Sequence, residues 1–316
     1  KDITPAIVRI IAAGVLSGVL IKTGAAASIS HTIVNRLGSR HVFLALALST
    51  MLLTAVGVFI DVAVITVAPI AIIIAERMGV AKFPMLLAMV GGGKCGNIIS
   101  PNPNTIIAAE NFDAPLSSVM AANIVPAIIG LLVTVYLIIP LMPKERAAMA
   151  EGTEQISHAK DESLPSFWAS IAGPLVVIAL LAMRPLIGVA IDPLIALPVG
   201  GIVGICATRQ WRRTAESVSY GLEKMSVVAV LLVATGAIAG IIKASSLTDL
   251  LISALGQGES ARLLLAPLAG TIMSAATAST TAGATIASAS FAPSILASGI
   301  SAVWGAALVN VGATVL

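Results

Sequence analysis

Lys94 sits in a stretch that offers a lysine few polar neighbours. The apolar run Met85–Val90 leads into Gly91-Gly92-Gly93. Lys94 is then followed by Cys95-Gly96-Asn97-Ile98-Ile99 and by Ser100-Pro101-Asn102-Pro103-Asn104. A charge held among apolar residues is costly and tends to be kept for function. An ammonium there can offset a carboxylate, either of a small anion or of Asp61, the one acid inside a long apolar stretch. The rival role for Lys94 is a side chain that snorkels to an interface. Asp61 can carry a proton if burial raises its proton affinity, or it can cap the half-helix that follows it. Asn97, Ser100, Asn102 and Asn104 supply amides and a hydroxyl suited to the hydroxyls of a sugar acid. Their alternative is to satisfy an unwound backbone. Ser279, Thr280, Thr281, Asn310 and Thr314 offer the same chemistry later in the chain, with helix packing as their alternative.

Other chemistries find little support. Gly91-Gly92-Gly93-Lys94 lacks the spacing and the following Ser/Thr of a phosphate loop. His31, His41 and His158 are scattered, and Cys95 and Cys206 lie far apart in apolar surroundings. Neither a metal site, a cofactor, a disulfide nor a catalytic constellation is expected.

These groups must be positioned by a membrane protein. Of 316 residues, 58% are hydrophobic and 10% charged, against about 25% charged in soluble domains. Mean hydropathy is +1.03. The net charge of +3 gives no reason to expect nucleic acid; the basic residues read as topology signals. Full spans are expected at Ile3–Lys22, Val119–Met142, Phe167–Ala190, Leu194–Thr208 and Met225–Ile242. Two apolar stretches, Val42–Ile74 and Leu263–Leu296, are too long for one span and carry polar interruptions. Each is expected to fold as a re-entrant hairpin, with tips near Gly57–Asp61 and Thr277–Gly283. Pro84–Ala109 is expected to be a broken helix, since unwound backbone at membrane depth survives only where protein buries it or a cavity hydrates it. Another break is expected after Ser301, around Asn310, Gly312 and Thr314.

The order helix, amphipathic segment, hairpin, broken helix occurs twice, with Gly14/Gly18 matching Gly236/Gly240. Basic residues orient the copies. If Arg209–Arg213 faces the cytoplasm, so do Lys144, Arg146 and Lys160, whereas Glu110–Ser118, without Lys or Arg, lies outside. Both hairpins must then return to the side they entered from, the first from inside and the second from outside. That is an inverted repeat, the architecture of many secondary transporters, whose broken helices hold substrate and ions. The expected fold is thus an all-α polytopic inverted-repeat protein. Residues 1–142 form the first repeat, with hairpin 42–77, broken helix 84–109 and span 119–142. Residues 143–166 form a cytoplasmic linker and 167–213 connecting spans. Residues 214–316 form a second repeat with hairpin 263–296 and a broken helix from 301, incomplete at its C-terminus.

The chain resembles the gluconate permease family of gluconate:proton symporters, within the ion-transporter superfamily. The resemblance rests on Gly57-Val58-Phe59-Ile60-Asp61, on Gly91–Asn104 with its Pro-x-Pro, and on Ser274–Gly283. It implies a scaffold domain, a mobile transport domain with the hairpins and breaks, a homodimer, and proton-coupled uptake of small hydroxy acids in a bacterial inner membrane. Members are longer, which implies spans beyond the ends of this chain. Where the family has Pro-His-Pro, Pro101-Asn102-Pro103 stands here. That departure leaves the substrate open between gluconate and a related sugar acid or hydroxycarboxylate. Sodium coupling, through backbone carbonyls and Ser/Thr oxygens, is the alternative within this class. A passive anion channel would need a continuous polar stripe along full-length helices, which the sequence does not show.

Overall fold

The computed structural model describes residues 4–142, 164–246, 250, 253 and 259–315. The expected linker 143–166 lies outside these residues except for 164–166, as does much of the stretch 243–262. The described residues are helical, without strands. In order they form α1 (Thr4–Lys22), α2 (Ala25–Leu37), α3 (Val42–Ala55), α4 (Ile60–Met78), α5 (Lys82–Ile98) and α6 (Pro103–Phe112). Then come α7 (Leu116–Ala122), α8 (Ile124–Val133), a π-helical turn Thr134–Ile138 and α9 (Ile139–Leu141). The rest comprises α10 (Phe167–Ile187), α11 (Pro193–Thr208), α12 (Thr214–Ala244), α13 (Glu259–Thr277), α14 (Thr280–Ala297) and α15 (Ala302–Thr314).

Four segments are long and apolar enough to cross a bilayer: Pro5–Lys22, Leu116–Leu141, Phe167–Arg184 and Trp211–Ala244. This matches four expected spans, though α12 begins well before Met225. The fifth differs: α11 has 16 residues, about 24 Å at 1.5 Å per residue, short of the ~30 Å hydrocarbon core. Both overlong apolar stretches are broken as expected. The first turns at Val56–Phe59, where Gly57 takes φ +98°, a conformation glycine adopts without a Cβ clash. The second turns at Ala278–Ser279, and the Ser279 hydroxyl accepts from Ala282 N at 3.2 Å to start α14.

The glycine-rich run does not unwind. Gly91, Gly92, Gly93, Lys94 and Gly96 all lie inside α5, and the chain leaves the helix only at Ile99. The glycines serve packing instead. A Cβ on Gly92 would stand 2.0 Å from the Ala47 carbonyl oxygen, and one on Gly96 2.0 Å from that of Met51. So α5 lies flush against α3, as small residues permit within membranes. Asn310, Gly312 and Thr314 are likewise helical, in α15, not in a break. A Cβ on Gly312 would stand 2.0 Å from the Pro267 carbonyl oxygen of α13. Both partners have moved by the same 220 positions, 92 to 312 and 47 to 267. The α3–α5 contact is therefore repeated, in register, by α13 and α15.

The helix-glycine match between the halves is weaker. Gly14 and Gly18 bring α1 against Gly221 and Ser217 of α12, whereas Gly236 and Gly240 face open space. Two buried apolar clusters fill the protein. The larger joins α1–α5 with α8 to α12; the smaller gathers Phe112, Met273, Phe291 and Ile295 around α6, α13, α14 and α15.

Candidate functional site

The site grows from the four residues that separate α5 from α6. Pro101 and Pro103 provide no backbone N–H, so the helical ladder cannot run through them. Pro103 instead sits at the first turn of α6, where a missing N–H does no harm, and Asn102 caps that helix. The Asn102 side-chain oxygen accepts from Thr105 N and from Thr105 Oγ1, both at 3.1 Å. Its amide nitrogen donates to the Asn97 carbonyl at 2.6 Å and to Asn97 Oδ1. Asn102 thus satisfies the outgoing end of one helix and the incoming end of the next.

The same break is tied to the C-terminal half. Asn104 Nδ2 donates to Asn310 Oδ1 at 2.8 Å, and Asn310 Nδ2 donates to Thr105 Oγ1 at 3.0 Å. Lys94 Nζ donates to the Thr314 carbonyl at 3.1 Å. That carbonyl lies in the last turn of α15, where the helix dipole favours a cation. Asn97, Asn102, Asn104, Thr105 and Asn310 are all buried, and Lys94 is half-buried. The amides face one another and the broken backbone, so a closed polar network holds α5, α6 and α15 together. Buried networks of this kind fix geometry because every unmet hydrogen bond is costly.

Ser100 and Asn123 stand apart. Both are fully buried, and Ser100 Oγ and Asn123 Oδ1 have no hydrogen-bond partner among the described residues. Asn123 Nδ2 donates to the Ile98 carbonyl at 3.0 Å, at the end of α5.

The first hairpin tip reaches this region. Thr54 Oγ1 donates to the Gly93 carbonyl at 2.8 Å, and a Cβ on Gly93 would lie 3.3 Å from an Ile60 methyl. The tip therefore rests on α5 next to Lys94. Asp61 follows Ile60 in the first turn of α4 but is exposed, and it forms no ion pair or side-chain hydrogen bond among the described residues. Its expected pairing with Lys94 is not formed, and it does not act as a helix cap. At the second tip the bonds are local: the Ser279 hydroxyl accepts from Ala282 N, and the Thr281 carbonyl accepts from Thr285 Oγ1. No hydrogen bond joins Ser279, Thr280 or Thr281 to the asparagine network.

Sequence reasoning overlooked three contributors. Thr105 could have been found as the third residue after an Asn-Pro cap. Asn123 is a lone amide in what reads as a plain span. The third is an ion cluster at the far end of α6. Arg9 Nη1 donates to Glu110 Oε2 at 2.5 Å, and Arg9 Nη2 donates to Asp192 Oδ2 at 2.7 Å. Asp192 also caps α11 by accepting from Leu194 N at 2.8 Å. The hydrogen bond from the Arg9 guanidinium, helped by that backbone N–H, holds the Asp192 carboxyl below the usual carboxylate range. Arg9, Glu110 and Asp192 come from α1, α6 and the turn before α11, which no local pattern links.

The chain is 50% identical over 315 residues to a Haemophilus influenzae protein described as an uncharacterized transporter, covering 100% of this chain and 74% of that one. It is 26% identical over 193 residues to a gluconate permease of Pseudomonas aeruginosa, covering 57% of this chain and 41% of that one. A high-affinity gluconate transporter of Escherichia coli is 28% identical over 173 residues, covering 51% and 36%. These two matches thus span less than half of each gluconate transporter. In structure, the chain is similar to the YdaH transporter of Alcanivorax borkumensis, described as having an unusual topology. The TM-score is 0.65 at 17% identity, over 98% of this chain and 73% of that one, a likeness of fold. The family model described as GntP family permease matches residues 5–315. The chain belongs to this family of membrane permeases, which are transporters and not enzymes.

Proposed function

We propose that this chain is the core of a secondary active transporter for a small organic anion, a gluconate-like sugar acid or hydroxycarboxylate, coupled to protons. The observation that carries the reading is the meeting of the two halves: the broken α5–α6 segment is bonded to α15 through Asn104–Asn310 and Lys94–Thr314. Family membership and the names of the gluconate-transporting relatives point to the substrate class. The repeated α3–α5 and α13–α15 contact supports two inverted copies, residues 1–142 and 214–316, joined by a linker and connecting spans. In this reading α3 to α6 and α13 to α15 form the moving transport domain. The long spans form a scaffold and carry a homodimer contact, in the inner membrane of a bacterium. Lys94 receives the substrate carboxylate. Ser100 and the asparagines shape the pocket for its hydroxyls, the hydroxyls of Ser279, Thr280 and Thr281 approach from the second tip, and Asp61 carries the coupled proton.

One observation favours sodium as a second reading for the coupling ion. Ser100 Oγ and Asn123 Oδ1 are buried oxygens without partners near the carbonyl-rich end of α5, and hard cations take such oxygens as ligands. Uptake of labelled gluconate by the whole protein in proteoliposomes tests both. Accumulation driven by an imposed proton gradient and lost with an uncoupler is expected. Accumulation driven only by a sodium gradient would transfer the coupling role to sodium. Equilibration without accumulation under either gradient would mark a passive channel and overturn the proposal.

A further inference from the structure

A cavity lies away from the asparagine network, at the turn between α11 and α12. Its volume is about 810 Å³, and it is lined by Thr23, Gly24, Leu164, Pro165 and the run Thr208–Arg213. That run brings three arginines and a tryptophan to one opening, and among the described residues no acidic one lines it.

The basic groups here are not equivalent. Arg213 Nη1 donates to the Lys22 carbonyl at 2.7 Å, and Gln210 Nε2 donates to the Thr23 carbonyl at 2.8 Å. These two side chains satisfy the end of α1 and so build the cavity wall. Lys22 is engaged by Glu216 at 2.9 Å and lies over the Tyr220 ring at 4.9 Å. Arg209 and Arg212 are different. Both are exposed, and neither forms an ion pair or side-chain hydrogen bond among the described residues.

Arg209 also stands where glycine is the usual residue. It ends α11 with φ +57° and ψ +29°, in the left-handed region. A non-glycine residue accepts some backbone strain there, and such outliers collect at functional positions. Trp211 is 60% exposed beside it, an amphipathic ring of the kind found at the headgroup level of membranes. The turn joins α11 to Trp211–Ala244, which is long and apolar enough to cross a membrane, so the cavity lies at the end of a candidate span, the level that headgroups take beside such a helix.

We propose that this cavity is a binding site for the phosphate of an anionic phospholipid headgroup. Arg209 and Arg212 grip the phosphate, Trp211 lies against the glycerol and upper acyl chain, and the Gln210 and Arg213 bonds to α1 keep the site open. Clusters of arginines at the membrane edge recognise anionic lipid by this chemistry, because guanidinium groups pair with phosphate in a fork. The site is separate from the transport pocket and does not depend on the transport reading.

The test uses the whole protein in nanodiscs of phosphatidylcholine alone and of phosphatidylcholine with phosphatidylglycerol. Thermal unfolding and retained lipid, by native mass spectrometry, are the readouts. The wild type is expected to melt higher in the anionic discs and to retain phosphatidylglycerol. The double variant Arg209→Gly, Arg212→Gln is expected to lose that increment and that lipid. Its melting in phosphatidylcholine should be unchanged or raised, since glycine relieves the left-handed backbone. Equal wild-type melting in both discs, or an increment and bound lipid that survive in the double variant, would overturn the site. Glycerol 3-phosphate added to neutral discs separates the two sources of phosphate: an equal shift with it would overturn the lipid occupant in favour of a soluble phosphate.

Discussion

The α3–α5 pair and the α13–α15 pair share a contact and differ in chemistry. Gly92 on Ala47 and Gly312 on Pro267 bring the backbones equally close. At the same 220-position spacing, Lys94 corresponds to Thr314, Asp61 to Thr281 and Ile60 to Thr280. The first pair therefore carries Lys94, with Asp61 on the adjoining α4, and at both positions the second half has a hydroxyl. Backbone packing and chemical role have separated: the glycines set where two helices touch, and neighbouring side chains decide what each touching pair does.

The sharpest way to break the comparison is to fill the shared contact. Gly92→Val and Gly312→Val each force a side chain onto a carbonyl oxygen, and helix backbones cannot yield as a flexible side chain can. Each is expected to cost about 3 kcal/mol or more, with loss of monodisperse protein on size-exclusion chromatography. Tolerance of one and not the other would show that the halves are not packed alike.

Next come the ionisable groups. Lys94→Ala is expected to abolish binding of gluconate-like acids, measured by isothermal titration or thermal shift, whereas Thr314→Ala, which keeps the backbone carbonyl, should lower affinity only a few-fold. Wild-type affinity in Lys94→Ala protein would remove the charge from the site. Asp61→Asn is expected to stop proton-driven accumulation while leaving substrate exchange intact, and Thr281→Ala to leave coupling unchanged. Coupled accumulation that persists in Asp61→Asn vesicles would place the proton elsewhere.

The smallest expected effect lies outside both pairs, at Arg9 and Asp192. The folded Asp192 carboxyl titrates below its unfolded value, so its contribution is fully present above about pH 4. It is lost as the pH falls through the lower folded value. The Asp192 side chain is 40% exposed, so the contribution is expected to stay within about 1 kcal/mol. Melting followed from pH 7 to pH 3 (about the span around a carboxylate pKa) should show a steeper acid decline for wild type than for Asp192→Asn. Parallel curves would show that the pair contributes nothing.

The broken stretches were legible because length and polarity disagree within them. An apolar run too long for one crossing, with Gly57 or Ser279 in its middle, has few other solutions. The asparagines around Pro101 and Pro103 were legible as a break for the same reason. What the glycines of α5 do was not: a glycine run reads as unwinding when it stands alone in sequence, and only the backbone of α3 shows that it is a packing face. Asn310 and Thr314 were selected for their polarity but misplaced into a break, because a helix that buries amides against another chain segment has no signature of its own. Arg9, Glu110 and Asp192 are spread over more than 180 positions, and nothing local marks them as partners.

Lys94 and Thr314 are counterparts at the shared spacing, and they touch each other. In a two-fold related pair, a residue that meets its own counterpart lies on the symmetry axis. The contact runs from the Lys94 ammonium to the Thr314 backbone carbonyl, so it needs a lysine at one of the two positions only. If the two halves descend from equal copies, the charge at Lys94 marks a point where they have become unlike.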